Sequence, residues 1–169
     1  MKLYKQAKVQ ANTKETKKKE VTMDYVIYTD GAYSKSKDLG AFVFIIVDEN
    51  ENEVCRMGHV TPSETNNRQE LKAIIAAVSK LPDDARKVRI ISDSMYALNT
   101  LSGEWMRRAN HDLFKLWEKT KREKAVVELE FLWVKGHSGD YYNELCDELC
   151  NELIGHNVNS EYAKYNRVK

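Results

Sequence analysis

Two short apolar runs, each ending in an acidic residue, constrain the fold of this chain most. They are YVIYTD at 25–30 and KVRIISDS at 87–94. Runs of this length that are rich in β-branched and aromatic residues predict strands buried on both faces of a sheet. Between them, TNNRQELKAIIAAVSKLP repeats apolar residues at helical spacing and stops at a Leu-Pro pair, which predicts an amphipathic helix.

The remaining segments extend this pattern into a mixed α/β domain. AFVFIIVDENENEVCRMGHV at 41–60 predicts two strands joined by a polar hairpin loop, and VELEFLWV at 127–134 predicts another strand. Helices are predicted in SMYALNTL, over 111–123 and from about Tyr141. Past Gly155 the chain is polar and shows no core pattern. In open sheets of this kind, sites form at the carboxyl ends of the strands.

The expected organisation is one globular domain with an extension at each end. Residues 1–24 form a Lys-rich tail, 25–155 the domain and 156–169 a polar C-terminal extension. A chain of 169 residues, of which 42% are hydrophobic, is long enough to bury a core. The longest apolar run, at 41–47, is too short to cross a bilayer, and three cysteines without paired spacing suit a reducing compartment. A cytoplasmic monomer without membrane contact is expected.

Charge is distributed unevenly along the chain. The first 20 residues hold seven Lys and two Glu, a balance of +5, whereas the whole chain carries +1, so the remainder carries −4. A cationic tail on an acidic body indicates either a polyanionic partner or a solubilising extension. Composition alone leaves both interpretations open.

Four acidic residues lie where predicted strands end and predicted helices begin. Asp30 and Asp93 close the two apolar runs, and Glu70 and Asp147 lie early in helices. If the two strands are neighbours, these carboxylates converge, and their repulsion requires a cation or a proton. Carboxylates without sulfur ligands favour Mg²⁺ or Mn²⁺, two of which can clamp the attacking and leaving oxygens of a phosphoryl displacement. His137, in the loop KGHSG, is a candidate for proton transfer or product release.

Each of these residues also has a purely structural interpretation. A single acid at a strand end is most often a turn former or a helix cap. Glu70 alone is compatible with an early-helix acid favoured by the helix dipole, and His137 with an ordinary loop residue. A zinc site built from His137, Cys146, Cys150 and His156 is disfavoured because its spacing matches no compact zinc module.

Taken together, the motifs resemble type 1 ribonuclease H. The family's blocks occur in the family's order, as TDG at 29–31, TNNRQEL at 65–71, SDSMY at 92–96 and WVKGHSGDYYNELCDELC at 133–150. The resemblance covers about residues 25–154. It implies an α/β, ribonuclease-H-like fold with a five-stranded mixed sheet, its second strand antiparallel, flanked by helices. It further implies metal-dependent endonucleolytic hydrolysis of the RNA strand of RNA/DNA hybrids, leaving 5′-phosphate and 3′-hydroxyl ends.

The resemblance also implies which residues carry the chemistry. The family's metal-binding carboxylates fall on Asp30, Glu70, Asp93 and Asp147, and its mobile catalytic histidine falls on His137. The family's mechanism uses two Mg²⁺ ions per site with substrate bound, for which Mn²⁺ is a possible substitute. In that mechanism Asp30 bridges the ions, Asp93 and Asp147 help one of them to activate water, and Glu70 helps hold the other.

Substrate contacts are implied by the TNN segment. In the family, the residues at the positions of Asn66 and Asn67 contact the minor groove of the hybrid, and the residue at Thr65 helps bind a DNA-strand phosphate. Thr65 or Asn66 can equally cap the helix. Trp105 lies about one residue from the family's aromatic that stacks on a DNA sugar, and it could equally be a core residue. Glu144 is either a supporting carboxylate or an exposed surface acid.

The chain departs from the family pattern at three places. The turn after the first acid is short and lacks a Gly- and Pro-rich loop, and Ser63 replaces an Arg that supports phosphate binding in some members. Only MRRAN separates Trp105 from the helix at 111, so the basic element that many members use to grip hybrids is reduced to Arg107 and Arg108. Less basic surface predicts weaker hybrid binding. The Lys-rich residues 2–19 are predicted to replace that element as a tether.

Two rival functions follow from the same residues. A nuclease of this fold that cuts DNA, such as a junction resolvase or a 3′-exonuclease, is disfavoured by the TNNR and KGH blocks. A catalytically silent hybrid-binding or partner-binding module is disfavoured by the complete carboxylate set, since such a module gains nothing from keeping repelling charges together.

Overall fold

The computed structural model of the chain describes residues 22–126, 128–156 and 161–165. The strands are β1 Tyr25–Ser34, β2 Leu39–Asp48, β3 Glu53–Pro62, β4 Lys87–Ser92, β5 Glu128–Trp133 and β6 Glu161–Tyr165. The helices are α1 Asn66–Ser79, α2 Met95–Ser102, α3 His111–Glu123 and α4 Tyr141–Gly155. Up to α4, this is the order that the sequence predicts. Of the predicted Lys-rich tail at residues 1–24, residues 1–21 lie outside the described residues.

The strands form one mixed sheet in the order β5-β4-β1-β2-β3-β6. β2 is antiparallel to both β1 and β3, whereas β1, β4 and β5 are parallel to one another. The predicted five-stranded mixed sheet with an antiparallel second strand is therefore confirmed. Parallel neighbours require helical crossovers, which α1, α2 and α3 supply.

A sixth strand extends the sheet beyond the predicted five. β6 pairs antiparallel with β3, with Cys55 opposite Tyr165 and His59 opposite Glu161. The sequence indicated only a polar extension past Gly155. An edge strand is held largely by backbone hydrogen bonds, so it needs no apolar periodicity that a sequence could reveal.

The sheet is buried on both faces, which explains the near-continuous apolar runs of its central strands. On one face, Ile27, Phe44 and Ile90 pack with Leu71 of α1 and Trp117 of α3 in the larger hydrophobic cluster. All five side chains are fully buried. Within the described residues, no helix is long and apolar enough to cross a membrane.

On the opposite face, α4 packs its cysteines against β1 and β2. Cys146 and Cys150 are fully buried in a cluster with Val43 and Ile45. The Cys146 thiol donates to the Tyr28 carbonyl at 3.6 Å, and the Cys150 thiol to the Asp30 carbonyl at 3.5 Å. Burial raises the pKa of both thiols well above the usual range, and their packing with Val43 and Ile45 makes them core residues. Among the described residues, the group that could hold a metal ion contains no cysteine.

Candidate active site

Asp30 and Asp93 lie side by side because β1 and β4 are parallel neighbours. The register pairs Tyr28 with Ile91, and the same register continued by two residues sets Asp30 beside Asp93. The Asp30 side chain is buried, and Asp93 is half-buried at the end of β4. The indole N–H of Trp133 donates to the Asp93 carbonyl at 2.9 Å and ties this turn to β5.

Glu70 reaches the same place because α1 packs directly on β1 at Gly31. A Cβ atom at Gly31 would lie 2.5 Å from the carbonyl carbon of Gln69 and 2.5 Å from the backbone nitrogen of Glu70. Only glycine permits this approach of a helix to a strand. Thr65 caps this helix, and Glu70 lies in its second turn. The Glu70 side chain is 4% exposed and faces Asp30.

Three carboxylates form a tight buried group. Ligand oxygens of Asp30, Glu70 and Asp93 all lie within 4.8 Å of one another. Burial, followed by the charges of Asp93 and Asp147, raises the pKa of Asp30 to about 8. Burial and the charges of Asp30 and Asp93 raise the pKa of Glu70 well above its usual range. Burial beside like charges therefore disfavours the charged forms of both Asp30 and Glu70.

Asp147 and His137 approach this group from the other side. Asp147 lies in the second turn of α4, and its charge raises the pKa values of both Asp30 and Asp93. His137 is exposed on the loop between β5 and α4, and its proximity opposes the rise in the Asp93 pKa. The structure thus brings the five predicted residues to one end of the sheet, with Asp147 outside the tight group of three.

Gly136 is a site residue that sequence reasoning missed. A Cβ atom there would lie 2.9 Å from Oδ2 of Asp93, so the loop passes directly over that carboxylate. His137 follows with φ 57°, in the left-handed region, and Gly139 with φ 92°. The motif KGHSG indicated only His137 as a candidate, and nothing in the spacing of Gly136 to Asp93 reveals the contact.

The predicted substrate-binding residues form the exposed start of α1. Thr65 is the N-cap, and its Oγ1 accepts a hydrogen bond from the backbone N–H of Arg68 at 3.3 Å. The capping role is therefore assigned to Thr65 rather than Asn66. Asn66 and Asn67 are exposed and follow directly, so both amides are available to a ligand. Helix N-termini of this kind also favour phosphate groups.

Arg68 connects this helix start to α3, which the sequence did not indicate. Its guanidinium donates to both carboxylate oxygens of Asp112, at 3.0 and 2.7 Å, and to Oδ1 of Asn110 at 3.2 Å. Its Nε donates to Glu64 at 2.7 Å. A bidentate arginine fork fixes orientation as well as distance. The partners are up to 44 residues away along the chain, so local spacing carries no signal of them.

The segment between α2 and α3 offers less free basic charge than its sequence suggests. Arg107 donates to the Thr100 carbonyl at 2.9 Å and to Glu118 at 3.0 Å, so it braces α2 against α3. Arg108 is exposed, and Trp105 is 43% exposed and is therefore not a core residue. Met106, the residue after Trp105, is 76% exposed.

Ser63, at the position of the family's phosphate-supporting arginine, donates to a carboxylate. Its Oγ lies 2.6 Å from Oδ2 of Asp38, and the hydroxyl of Tyr33 donates to Oδ1 of the same residue at 2.7 Å. These bonds lower the pKa of Asp38. The carboxylate of Asp38 therefore lies beside Ser63, the position at which the resemblance implies an arginine in some members.

The carboxylate group fits a divalent cation. Oε2 of Glu70 is buried and has no hydrogen-bond partner among the described residues. A cation would satisfy this oxygen and offset the repulsion that raises the pKa values of Asp30 and Asp93. Ligands that are all oxygen match hard cations. Asp30, Glu70 and Asp93 can therefore hold a metal ion, and the charge of Asp147 acts on the same group.

Relatives of known family match most of the chain. The family model for RNase H matches residues 22–154. A Ribonuclease H of Treponema denticola is 32% identical over 155 residues, covering 77% of this chain and 96% of that protein. A Ribonuclease H of Caldicellulosiruptor saccharolyticus is 32% identical over 142 residues, covering 78% and 96%.

Solved structures show the same fold. The N-terminal RNase H domain of a Mycobacterium tuberculosis protein, solved as a fusion with maltose binding protein, superposes with a TM-score of 0.68 at 15% identity and covers 80% of this chain and 99% of that one. RNase H1 from Halobacterium salinarum gives a TM-score of 0.63 at 24% identity, covering 78% and 98%. At these identities the likeness concerns the fold. The family match and the identity to curated relatives establish the membership, so the chain belongs to the RNase H family of ribonucleases.

Proposed function

We propose that this protein is a metal-dependent endonuclease that hydrolyses the RNA strand of RNA/DNA hybrids and leaves 5′-phosphate and 3′-hydroxyl ends. The observation that carries the proposal is the group of Asp30, Glu70 and Asp93, whose ligand oxygens lie within 4.8 Å of one another. Glu70 belongs to the helix that begins with the exposed TNN segment. A module that only binds hybrids would gain nothing from holding three carboxylates so close that they repel one another. Relatives named Ribonuclease H support the same class of reaction.

Mg²⁺ is the cation we propose for the site, held as two ions when substrate is bound, with Mn²⁺ as a possible substitute. Asp30, Glu70, Asp93 and Asp147 would hold it. Bound there, Mg²⁺ supplies the positive charge that stabilises an in-line phosphoryl displacement. The carboxylates orient that charge, and burial of Asp30 and Glu70 keeps bulk water from screening it.

The remaining residues act on the substrate and on protons. Asn66 and Asn67 contact the minor groove of the hybrid, where ribose 2′-hydroxyls distinguish RNA from DNA, and Thr65 helps bind a DNA-strand phosphate. His137, exposed beside Asp93, transfers a proton at the leaving oxygen or assists product release. We also propose a cytoplasmic monomer, and three free buried thiols are compatible with a reducing compartment.

Hybrid cleavage is expected to depend on Asp93. With labelled RNA/DNA, RNA/RNA, DNA/DNA and single-stranded RNA of one sequence, cutting should be confined to the RNA of the hybrid and should cease with EDTA. Asp93→Asn should lower turnover by about 1,000-fold, since a ligand to the charge-stabilising cation is lost, while hybrid affinity is retained. Asp83→Asn is the matched control, because Asp83 is fully exposed.

Other outcomes would favour the rival functions. Cleavage of DNA duplexes would indicate a DNA nuclease of the same fold. Hybrid binding that needs no metal and leads to no cutting would indicate a silent module. Wild-type turnover in Asp93→Asn would remove Asp93 from the metal ligands.

The Lys-rich tail is proposed to strengthen hybrid binding through phosphate contacts. The residues after the first 20 carry a net charge of −4, and Arg107 is engaged with Glu118, so the tail supplies positive charge that the rest of the chain lacks on balance. Replacing the tail's seven Lys by Gln should raise KM about fivefold and make KM depend less steeply on salt concentration. Replacement by Arg preserves charge and serves as the control. An unchanged KM and salt slope in the Gln variant would contradict the proposal.

A further inference from the structure

The loop that carries His137 has a conformation that needs external support. His137 itself lies in the left-handed region at φ 57°, and Gly139 at φ 92°. For a residue with a side chain this region costs about 1 kcal/mol, so the loop does not hold that shape by local preference. Gly136 passes over Asp93 at a distance that excludes any side chain.

The two arms of this loop are anchored in different ways. The arm before His137 is tied to the sheet, because the backbone N–H of Val134 donates to the Ser92 carbonyl at 3.0 Å. The arm after His137 is tied to α4: the backbone N–H of Gly139 donates to Oε1 of Glu144 at 3.1 Å. Glu144 lies in the first turn of α4, one turn before Asp147. The Glu144 side chain thus joins the histidine loop to the helix that carries a carboxylate of the site, beside the Asp140 cap, whose Oδ1 accepts from the backbone N–H of Asn143 at 2.9 Å.

We infer that Glu144 is a positioning residue that, by accepting the Gly139 hydrogen bond, sets where His137 can move relative to the carboxylate group. The inference rests on the proposed role of His137. Without the bond, the Ser138 hydroxyl still donates to the Lys135 carbonyl and Asp140 still caps α4, but the chain between them can turn about Gly139, whose φ no side chain restricts. The imidazole then spends less time beside Asp93, while the metal ligands and the TNN segment stay in place. A small displacement of a reacting group is enough to slow a reaction about tenfold.

The hydrogen bond and the negative charge of Glu144 can be separated by substitution. A Glu in the first turn also stabilises a helix through its dipole, and this would be a merely structural role. Glu144→Gln keeps an oxygen that accepts from Gly139 but loses the charge, whereas Glu144→Ala loses both. If Glu144 positions His137, kcat should fall about tenfold in Glu144→Ala and recover in Glu144→Gln, with KM unchanged in both variants. Glu148→Ala, an exposed acid on the same helix, is the control.

A double-mutant cycle with His137→Ala tests whether Glu144 acts through the histidine. The Glu144→Ala loss should vanish in the His137→Ala background, because no imidazole remains to be positioned. An equal loss in both backgrounds, or no recovery in Glu144→Gln, would overturn the inference. If His137→Ala alone cleaved hybrids at the wild-type rate, the role of His137 and the inference would both be wrong. Metal- and Asp93-dependent hybrid cleavage would still stand, so the two failures are distinguishable.

Discussion

Asp30→Asn is expected to abolish hybrid cleavage and, at the same time, to make the metal-free protein more stable at neutral and alkaline pH. Asp30 is 5% exposed and lies within 4.8 Å of the oxygens of Glu70 and Asp93. Asp30 is therefore both a proposed ligand of the cation and a carboxylate that burial beside like charges destabilises. Removing its charge should cost about 1,000-fold or more in turnover.

The stability gain should depend on pH in a definite direction. Burial raises the folded-state pKa of Asp30 to about 8, above its value in the unfolded chain. The protonated form contributes stability fully below pH ~4, the unfolded value, and this contribution is lost as pH rises through about 8. Glu70 and Asp93 shift in the same direction. Asp30→Asn removes the charged form, so the gain should be about 2 kcal/mol at pH 8 and close to zero at pH 4.

Thermal unfolding in EDTA at pH 4, 6 and 8 measures this difference. At pH 8 the variant should unfold roughly 5 °C higher than wild type. Mg²⁺ should reduce this difference in unfolding temperature, because it stabilises the wild-type protein by binding to its site. Glu123→Gln, which changes an exposed acid on α3, should alter neither stability nor cleavage. A less stable Asp30→Asn at pH 8 would show that the carboxylate group carries no net repulsion.

Gly31→Ala is expected to impair folding stability and catalysis together. The added Cβ would lie 2.5 Å from two backbone atoms of α1, and backbone cannot rotate away as a flexible side chain can. Either the helix retreats from β1 or the strand bends, at a cost of about 3 kcal/mol. In both cases Glu70 moves relative to Asp30, and turnover should fall about 100-fold.

Urea denaturation and hybrid cleavage of the same preparation test this prediction. Gly155→Ala is the control, because nothing lies within 4 Å of a Cβ built there. It should change stability by only a few tenths of a kcal/mol and leave turnover unaltered. If Gly31→Ala matched wild type in both assays, the close packing of α1 on β1 would not be what positions Glu70.

Much of the fold was predictable because the central strands carry strong local signals. The runs at 25–30 and 87–94 are apolar on both faces, and α1 repeats Leu71, Ile74 and Val78 at helical spacing. β6 gave no such signal, because its pairing with β3 uses the backbone. Its composition instead indicated an extension without a core pattern.

The site was predictable where its residues lie in recognisable motifs, and unpredictable where it depends on distant contacts. Acids at strand ends indicated Asp30 and Asp93, since register brings parallel strand ends together. The contact of Gly136 with Asp93 arises only after folding. For Arg107 the sequence motif was misleading. It suggested a remnant of a basic surface, whereas the Arg107 guanidinium joins α2 to α3.

The position of β6 has a consequence for the behaviour of the protein in concentrated solution. β3 is ten residues long, and without a neighbour on its outer side it would present a row of unpaired backbone donors and acceptors. Such a row is a template on which a second chain can add a strand, which leads to aggregation or strand exchange. Residues 161–165 occupy part of that row in the same molecule. β6 is five residues long, so it leaves a shorter open edge than β3 would and offers a smaller template for self-association.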